Sequence, residues 1–118
     1  MRVLVLGCGR VGAQIAVDLA SAGHSVAVMD RDKESFRRLP DTFSGKTWFG
    51  DGMDRTALEE AGIAGCDAVA AVMYGDNSNI VAARIAKENY GVASVVARVK
   101  TRVMPRSTNA SGSRPSRP

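Results

Sequence analysis

The sequence opens with an apolar run that ends in glycines: Met1-Arg2-Val3-Leu4-Val5-Leu6 continues directly into Gly7-Cys8-Gly9-Arg10-Val11-Gly12. A second apolar run, Ser25-Val26-Ala27-Val28-Met29, ends at Asp30. The residues between the two runs have the spacing of a helix, with Val11, Ile15 and Leu19 on one face. A strand, a glycine-rich turn, a helix, a strand and an acid therefore follow one another within thirty residues.

Each glycine of this turn meets a different steric demand, and together they predict a nucleotide-binding site. Gly7 permits the tight turn out of the strand, Gly9 lets phosphates approach the backbone, and Gly12 lets the helix pack closely on the sheet. The helix then directs its free N–H groups and the positive end of its dipole at the phosphates. Asp30, 18 residues after Gly12, is placed to accept hydrogen bonds from both ribose hydroxyls and to repel a 2′-phosphate.

The composition is that of one small domain with a basic tail. Of the 118 residues, 45% are hydrophobic, which is sufficient for a core. The net charge of +4 comes from four arginines in residues 101–118, whereas residues 1–100 contain 12 basic and 12 acidic residues, so we expect no nucleic-acid partner. The sequence shows no signal peptide, no run of membrane-spanning length and no C-x-x-C motif, and we expect a cytoplasmic protein with reduced thiols.

Strands and helices alternate along the rest of the chain. We predict strands at residues 46–49, 68–73 and 95–99, and helices at about 33–39, 54–61 and 77–90. The continuously apolar run at 68–73 is typical of a parallel strand covered on both faces. The alternation predicts an α/β fold with three layers, a Rossmann-like doubly wound parallel sheet in the order 3-2-1-4-5. Ligands of such sheets bind at the carboxyl ends of the strands, which we call the rim.

Several polar residues fall at the rim, and each has more than one interpretation. Arg10, inside the turn, either reaches a terminal phosphate, reaches a neighbouring subunit or is a solvated side chain. Asp51 either accepts a hydrogen bond from an adenine amino group or caps the next helix. Asp76 and Asn79 begin the long helix, where we favour capping over ligand contact. Arg98 either contacts the ligand or belongs to an interface.

The sequence places no catalytic groups at the rim. We find no nucleophile–base pair, no Tyr-x-x-x-Lys arrangement and no cluster of metal ligands. The single histidine, His24, follows the first helix at the opposite end of the sheet, where we expect a structural role. A hydride-transfer enzyme would lack its usual proton donor, whereas a nucleotide sensor needs none. We therefore predict a non-catalytic protein, and the alternative is a cofactor-binding fragment of an NAD-dependent oxidoreductase.

Residues 1–99 resemble the N-terminal domain of the TrkA family, also called the RCK or KTN domain. The resemblance rests on an ordered series of short stretches rather than on the glycines alone. These stretches are VLGCGRVG at 5–12, VMDRD at 28–32, GDG at 50–52, AGI at 61–63, DAV at 67–69, DNSN at 76–79 and ARV at 97–99. Gly52-Met53 stands where many members have Ala-Thr, which is a mild departure.

This resemblance implies a cytosolic regulatory subunit of a potassium uptake system. Such subunits form homo-oligomeric rings at the inner face of the membrane, on a channel subunit, and NAD, NADH, ATP or ADP shifts the shape of the ring and so the opening of the channel. The resemblance assigns the phosphates to the glycine turn, the ribose to Asp30 and the adenine edge to Asp51. The full candidate set for cofactor binding is Gly7, Gly9, Arg10, Val11, Gly12, Asp30, Arg31, Asp51, Met73, Asn79 and Arg98.

The resemblance ends at residue 99 or 100, so we expect the sixth strand of the family to be missing. Residues 101–118 are rich in Arg, Ser, Pro and Thr, which predicts disorder. With suitable codons, another reading frame after Lys100 gives the helix-then-strand pattern that the family has at this point, and we hypothesise a frameshift. The alternative is a natural basic tail that binds acidic lipid or nucleic acid.

Overall fold

A computed structural model describes residues 1–100 of the chain, and the predictions for residues 101–118 lie outside the described residues. Five parallel strands form one sheet in the predicted order β3-β2-β1-β4-β5. The strands are β1 Arg2–Leu6, β2 Ser25–Asp30, β3 Lys46–Phe49, β4 Ala68–Ala71 and β5 Ser94–Ala97. The α-helices are α1 Arg10–Ser21, α2 Arg55–Glu60 and α3 Asp76–Arg84; 3₁₀ helices cover Lys33–Arg38 and Ile63–Gly65, and a π-helix covers Ile85–Asn89.

The central strand β1 divides the core into two layers. Its side chains alternate between the faces of the sheet, because successive residues of a strand point to opposite sides. Val3 and Val5 are buried together with Ala13 and Ala16 of α1. Leu4 and Leu6 are buried on the other face, in a cluster that includes Leu58 of α2 and Ala82 of α3. The three-layer, doubly wound architecture predicted from the sequence is thus confirmed.

Two strands end earlier than their apolar runs predict. β4 stops at Ala71 rather than at residue 73, and β5 stops at Ala97 rather than at residue 99. The cause is the side chain of Asn79, whose Oδ1 accepts a hydrogen bond from the N–H of Met73 at 2.6 Å and whose Nδ2 donates to the carbonyl of Arg98 at 2.9 Å. The backbone groups that would have extended the β4–β5 ladder are therefore bonded to a side chain.

The long helix predicted at 77–90 is also interrupted. It begins one residue earlier, at Asp76, and its α-helical part ends at Arg84, where a π-helical turn follows. The wide turn closes with a hydrogen bond from the N–H of Val92 to the carbonyl of Ala86 at 3.1 Å. Gly91, at φ 62°, directly follows residue 90, at which the predicted helix ends, and its left-handed conformation is typical of a helix end.

The opposite end of the sheet contains His24, as predicted. Its Nδ1 lies 3.3 Å from the amino group of Met1, away from the rim. None of the helices within residues 1–100 combines the length and the apolar character needed to cross a bilayer.

Candidate nucleotide-binding site

The glycine-rich turn has the steric properties that its sequence predicts. Gly7 has φ 110°, a left-handed conformation, and a Cβ placed on it would lie 2.8 Å from the main-chain nitrogen of Met73. A Cβ on Gly12 would overlap the carbonyl oxygen of Gly7, so only glycine lets α1 approach the turn this closely. A Cβ on Gly9 would meet nothing within 4 Å. Gly9 thus borders open space, where a ligand could approach the backbone.

The amino end of α1 faces the same open space. Gly9 is the N-cap residue of α1 and supplies no capping side chain. The first N–H groups of an α-helix have no partner within the helix, and they carry the positive end of its dipole. In this position they form a binding site suited to phosphate oxygens.

Asp30 is held rigidly beside the turn. Its Oδ2 accepts a hydrogen bond from the N–H of Cys8 at 2.7 Å, and its Oδ1 accepts one from the N–H of Asp32 at 2.8 Å. Each carboxylate oxygen has a second lone pair, which is available to a ligand hydroxyl. The end of β2 and the glycine turn are thus joined through one half-buried carboxylate.

Cys8, inside the turn, is not a reactive thiol. It is fully buried. Burial raises the pKa of its thiol, the neighbouring Asp30 carboxylate raises it further, and Arg38 opposes the shift. Because the thiolate is the nucleophilic form, this thiol stays protonated and inert near neutral pH.

A crevice of about 650 Å³ opens along the rim. Nine of the eleven predicted site residues line it: Gly7, Gly9, Arg10, Val11, Asp30, Arg31, Asp51, Met73 and Arg98. The other two, Gly12 and Asn79, are buried behind its wall. The structure therefore brings together residues from the ends of all five strands, as the sheet order predicts.

Asp51 faces the crevice and is not a helix cap. Its Oδ1 accepts a hydrogen bond from the N–H of Met53 at 2.9 Å, and its Oδ2 lies 3.9 Å from a guanidinium nitrogen of Arg31. The cap of α2 is Asp54, which accepts from the N–H of Thr56 at 3.0 Å. The capping interpretation of Asp51 is therefore wrong, and its half-exposed carboxylate is left at the rim.

Asn79 neither caps a helix nor lines the crevice, so the preferred capping interpretation is wrong for this residue. The N-cap of α3 is Gly75, which supplies no side-chain hydrogen bond. Asn79 is completely buried, and its amide bonds to the backbone of Met73 and of Arg98. Both of those residues line the crevice, so Asn79 contacts its wall from behind. The carboxylate of Asp76, the other predicted cap, accepts a hydrogen bond from the N–H of Lys100 at 2.7 Å.

Large side chains at the crevice that are absent from the predicted site residues include Arg38, Tyr74 and Lys100. The Nζ of Lys100 lies 4.1 Å from the centroid of the Tyr74 ring. A signal for Lys100 was present, since residues two apart in an extended segment point to the same side, and Arg98 had been placed at the rim. Tyr74 also had a signal, since it directly follows the strand predicted at residues 68–73, whereas Arg38 had none.

The sequence matches the family model of the TrkA-N domain over residues 3–112. It is 52% identical over 99 residues to the Trk system potassium uptake protein TrkA of Streptomyces coelicolor, an alignment that covers 84% of this chain and 44% of that protein. The chain spans less than half the length of the curated relatives it matches.

Solved structures share the fold at low sequence identity. The TrkA-N domain of the inner membrane protein ybaL from Escherichia coli superposes with a TM-score of 0.70 at 13% identity, covering 80% of this chain and 69% of that one. The Kef CTD of Shewanella denitrificans, in its AMP-bound form, gives a TM-score of 0.66 at 18% identity, covering 81% and 57%. The family model extends twelve residues past residue 100, where the resemblance seen in the sequence ends. The family match, the relative at 52% identity and the shared fold agree with the resemblance over residues 3–99, and the chain belongs to the TrkA-N domain family.

Proposed function

We propose that this chain is the nucleotide-sensing domain of a potassium uptake regulator and that its crevice binds NAD, NADH, ATP or ADP. The observation that carries the proposal is the fixed position of Asp30 beside the glycine turn. Two backbone N–H groups hold its carboxylate where a ribose would lie, next to a helix end suited to phosphate. Ribose and phosphate are present in all four ligands.

In this proposal the residues of the crevice divide the ligand between them. The turn from Gly7 to Gly12 and the guanidinium of Arg10 bind phosphates, Asp30 binds the ribose hydroxyls, and Asp51 accepts from the adenine amino group. Arg31 supports Asp51 through their ion pair. The remaining half of the ligand extends across the sheet toward Met73 and Arg98, which line the far side of the crevice.

The proposed output is regulation rather than catalysis. Among residues 1–100 no three His, Cys, Asp or Glu side chains come together in a way that could hold a metal ion, and the thiol in the turn is buried and protonated. A ligand changes a conformational equilibrium only by binding one state more tightly than another. We propose that the domain works as part of a homo-oligomer at the cytoplasmic face of the membrane, on a potassium-channel subunit. The support is its 52% identity to a protein named for potassium uptake.

Ligand binding is tested by thermal unfolding with AMP, NAD, NADH, NADPH, ATP and ADP. A ligand present at 100 times its Kd stabilises a protein by about 2.7 kcal/mol, so a bound nucleotide raises Tm measurably. We expect stabilisation by at least one of NAD, NADH, ATP and ADP, and weaker stabilisation by NADPH. The Asp30→Ala variant should lose most of the effect.

Asp41→Ala is the matched control, because Asp41 is an exposed acid in a loop that does not line the crevice. Circular dichroism first establishes that each variant is folded. A folded protein whose Tm responds to none of the nucleotides would refute the proposed binding. Equal responses of the two aspartate variants would refute the assignment of the site.

The link to potassium is tested separately in a chimera. Residues 1–100 replace the matching segment of the Streptomyces coelicolor relative, and rubidium uptake is measured in cells that carry its channel. We expect the chimera to restore uptake and the same chimera with Asp30→Ala to lose nucleotide-dependent uptake. If the chimera binds nucleotide without any effect on rubidium uptake, the domain binds nucleotides but does not regulate uptake, which would contradict the regulatory proposal.

A further inference from the structure

Asn79 is the single buried polar or charged residue of residues 1–100. It lies in the second turn of α3, beneath the carboxyl ends of β4 and β5. Its Oδ1 accepts a hydrogen bond from the N–H of Met73 at 2.6 Å, and its Nδ2 donates to the carbonyls of Met73 at 3.0 Å and of Arg98 at 2.9 Å. Both donor hydrogens of the amide are therefore used, and the buried polar group is well satisfied.

The amide takes the place of one hydrogen bond of the parallel ladder. β4 and β5 pair in register, with Ala71 opposite Ala97. The ladder continues for one more bond, from the N–H of Arg98 to the carbonyl of Ala71 at 2.9 Å. The next bond of a parallel ladder would run from the N–H of Met73 to the carbonyl of Arg98. Those two groups instead bond to the two ends of the Asn79 amide.

An inserted side chain holds two strands apart at the point where it is inserted. Paired strands lie about 4.8 Å apart, and an amide that bonds to both strands needs more room than a direct bond between them. We therefore expect the strands to lie farther apart at Met73 and Arg98, the residues that line the far side of the crevice. Asp76, on the same helix, accepts a hydrogen bond from the N–H of Lys100. The first two turns of α3 therefore contact the chain after β4 and the chain after β5, which form the two walls of the far side of the crevice.

We propose that Asn79 is a positioning residue for the far half of the nucleotide site: by separating β4 from β5 it makes room for ligands that extend beyond the first phosphate. This inference rests on the proposed function. AMP contacts only the near half, formed by the glycine turn, Asp30 and Asp51, and its binding does not depend on Asn79. NADH and ATP extend into the far half, and their binding depends on Asn79.

The test compares affinities for a short and a long nucleotide in the Asn79→Asp variant. The change keeps the size of the side chain but replaces the donor with an oxygen, which is repelled by the carbonyl of Arg98. We expect the Kd of the tighter of NADH and ATP to rise about tenfold or more, from the loss of a buried hydrogen bond, and the Kd of AMP to change less than about twofold. Calorimetry measures both.

Asn77→Asp is the matched control, since Asn77 is exposed on the same helix and undergoes the same chemical change. It should leave both affinities unchanged. A general loss of stability would weaken the binding of AMP and of the longer nucleotide alike. That result would overturn the inference, as would a ratio of the two Kd values that is the same in Asn79→Asp as in the unaltered protein. Failure of the unaltered protein to bind any nucleotide would refute the proposed function and this inference with it.

Should Asn79→Asp not fold, NMR of the unaltered protein gives the same answer. The side-chain NH₂ signals of Asn79 and the amide signal of Met73 report on the inserted hydrogen bonds. We expect the longer nucleotide to move these signals and AMP to leave them in place. Movement by AMP to the same extent, or saturation with the longer nucleotide without any movement, would overturn the inference.

Discussion

Gly7→Ala is expected to destabilise the protein strongly, because the turn leaves no room for a side chain. Gly7 has φ 110°, outside the range that residues with a Cβ adopt easily. A Cβ at this position would also lie 2.8 Å from the nitrogen and the Cα of Met73 and from the carbonyl oxygen of Val72. All three atoms belong to the main chain, so no side-chain rotation relieves the contact.

The magnitude follows from adding the two effects. A non-glycine residue in such a conformation costs roughly 1–3 kcal/mol, and forcing an extra carbon into a close-packed site costs roughly 1–3 kcal/mol. We expect a loss of about 3 kcal/mol, which is a large part of the 5–15 kcal/mol typical of a small domain. In a domain of this size the corresponding fall in Tm is roughly 12–24 °C.

Gly9→Ala, in the same turn, is expected to leave stability nearly unchanged and to weaken nucleotide binding. Gly9 has φ −83°, which alanine adopts without strain, and its added methyl group meets no protein atom within 4 Å. Urea unfolding should therefore show a change below about 0.5 kcal/mol. Nucleotide affinity should nevertheless fall, since the methyl group enters the space where a phosphate approaches the backbone. Equal stability losses in the two variants would refute this account of the turn.

Four further outcomes are expected. Asp54→Ala should destabilise the protein by about 1 kcal/mol in urea unfolding, since it removes the cap of α2. Burial raises the pKa of the Cys8 thiol above its ordinary value of 9.0, so the folded protein holds this proton more tightly than the unfolded chain does. The free energy of unfolding should therefore fall as the pH rises past 9.0, and the fall should be shallower in Cys8→Ala. A chain that ends at Lys100 should keep the Tm and the nucleotide affinity of the full chain, and a loss of either would assign the tail a role. Sequencing the DNA tests the frameshift, which codons incompatible with the second reading would rule out.

The sheet order and most of the candidate site could be predicted because their signals are local. The glycine spacing, the apolar strands and the position of Asp30 each depend on residues close together in the sequence, and the rule that ligands bind at the carboxyl ends of parallel strands then places them at one rim. Nine predicted residues accordingly line one crevice.

The role of Asn79 could not be predicted in this way. Near the start of a helix an asparagine is normally read as a cap, which is a local interaction. Here its amide reaches Arg98, which is 19 residues away in the sequence, and only the paired strands make that contact possible. The hydrogen bonds of Asn79 also explain why β4 and β5 end earlier than their apolar runs predict. Strand propensity indicates where a strand can form, but a side chain from another element decided where these two stop.

The two hydrogen bonds at Asp30 have a consequence for selectivity. A carboxylate on a freely rotating side chain could turn away from an unfavourable charge. The Asp30 carboxylate cannot turn without leaving the N–H groups of Cys8 and Asp32 unpaired. A nucleotide with a phosphate on the 2′-hydroxyl of its ribose, such as NADPH, would therefore meet a negative charge that has no alternative position. If Asp30 binds the ribose as proposed, we expect the preference for a free 2′-hydroxyl to be established during folding, before any ligand arrives.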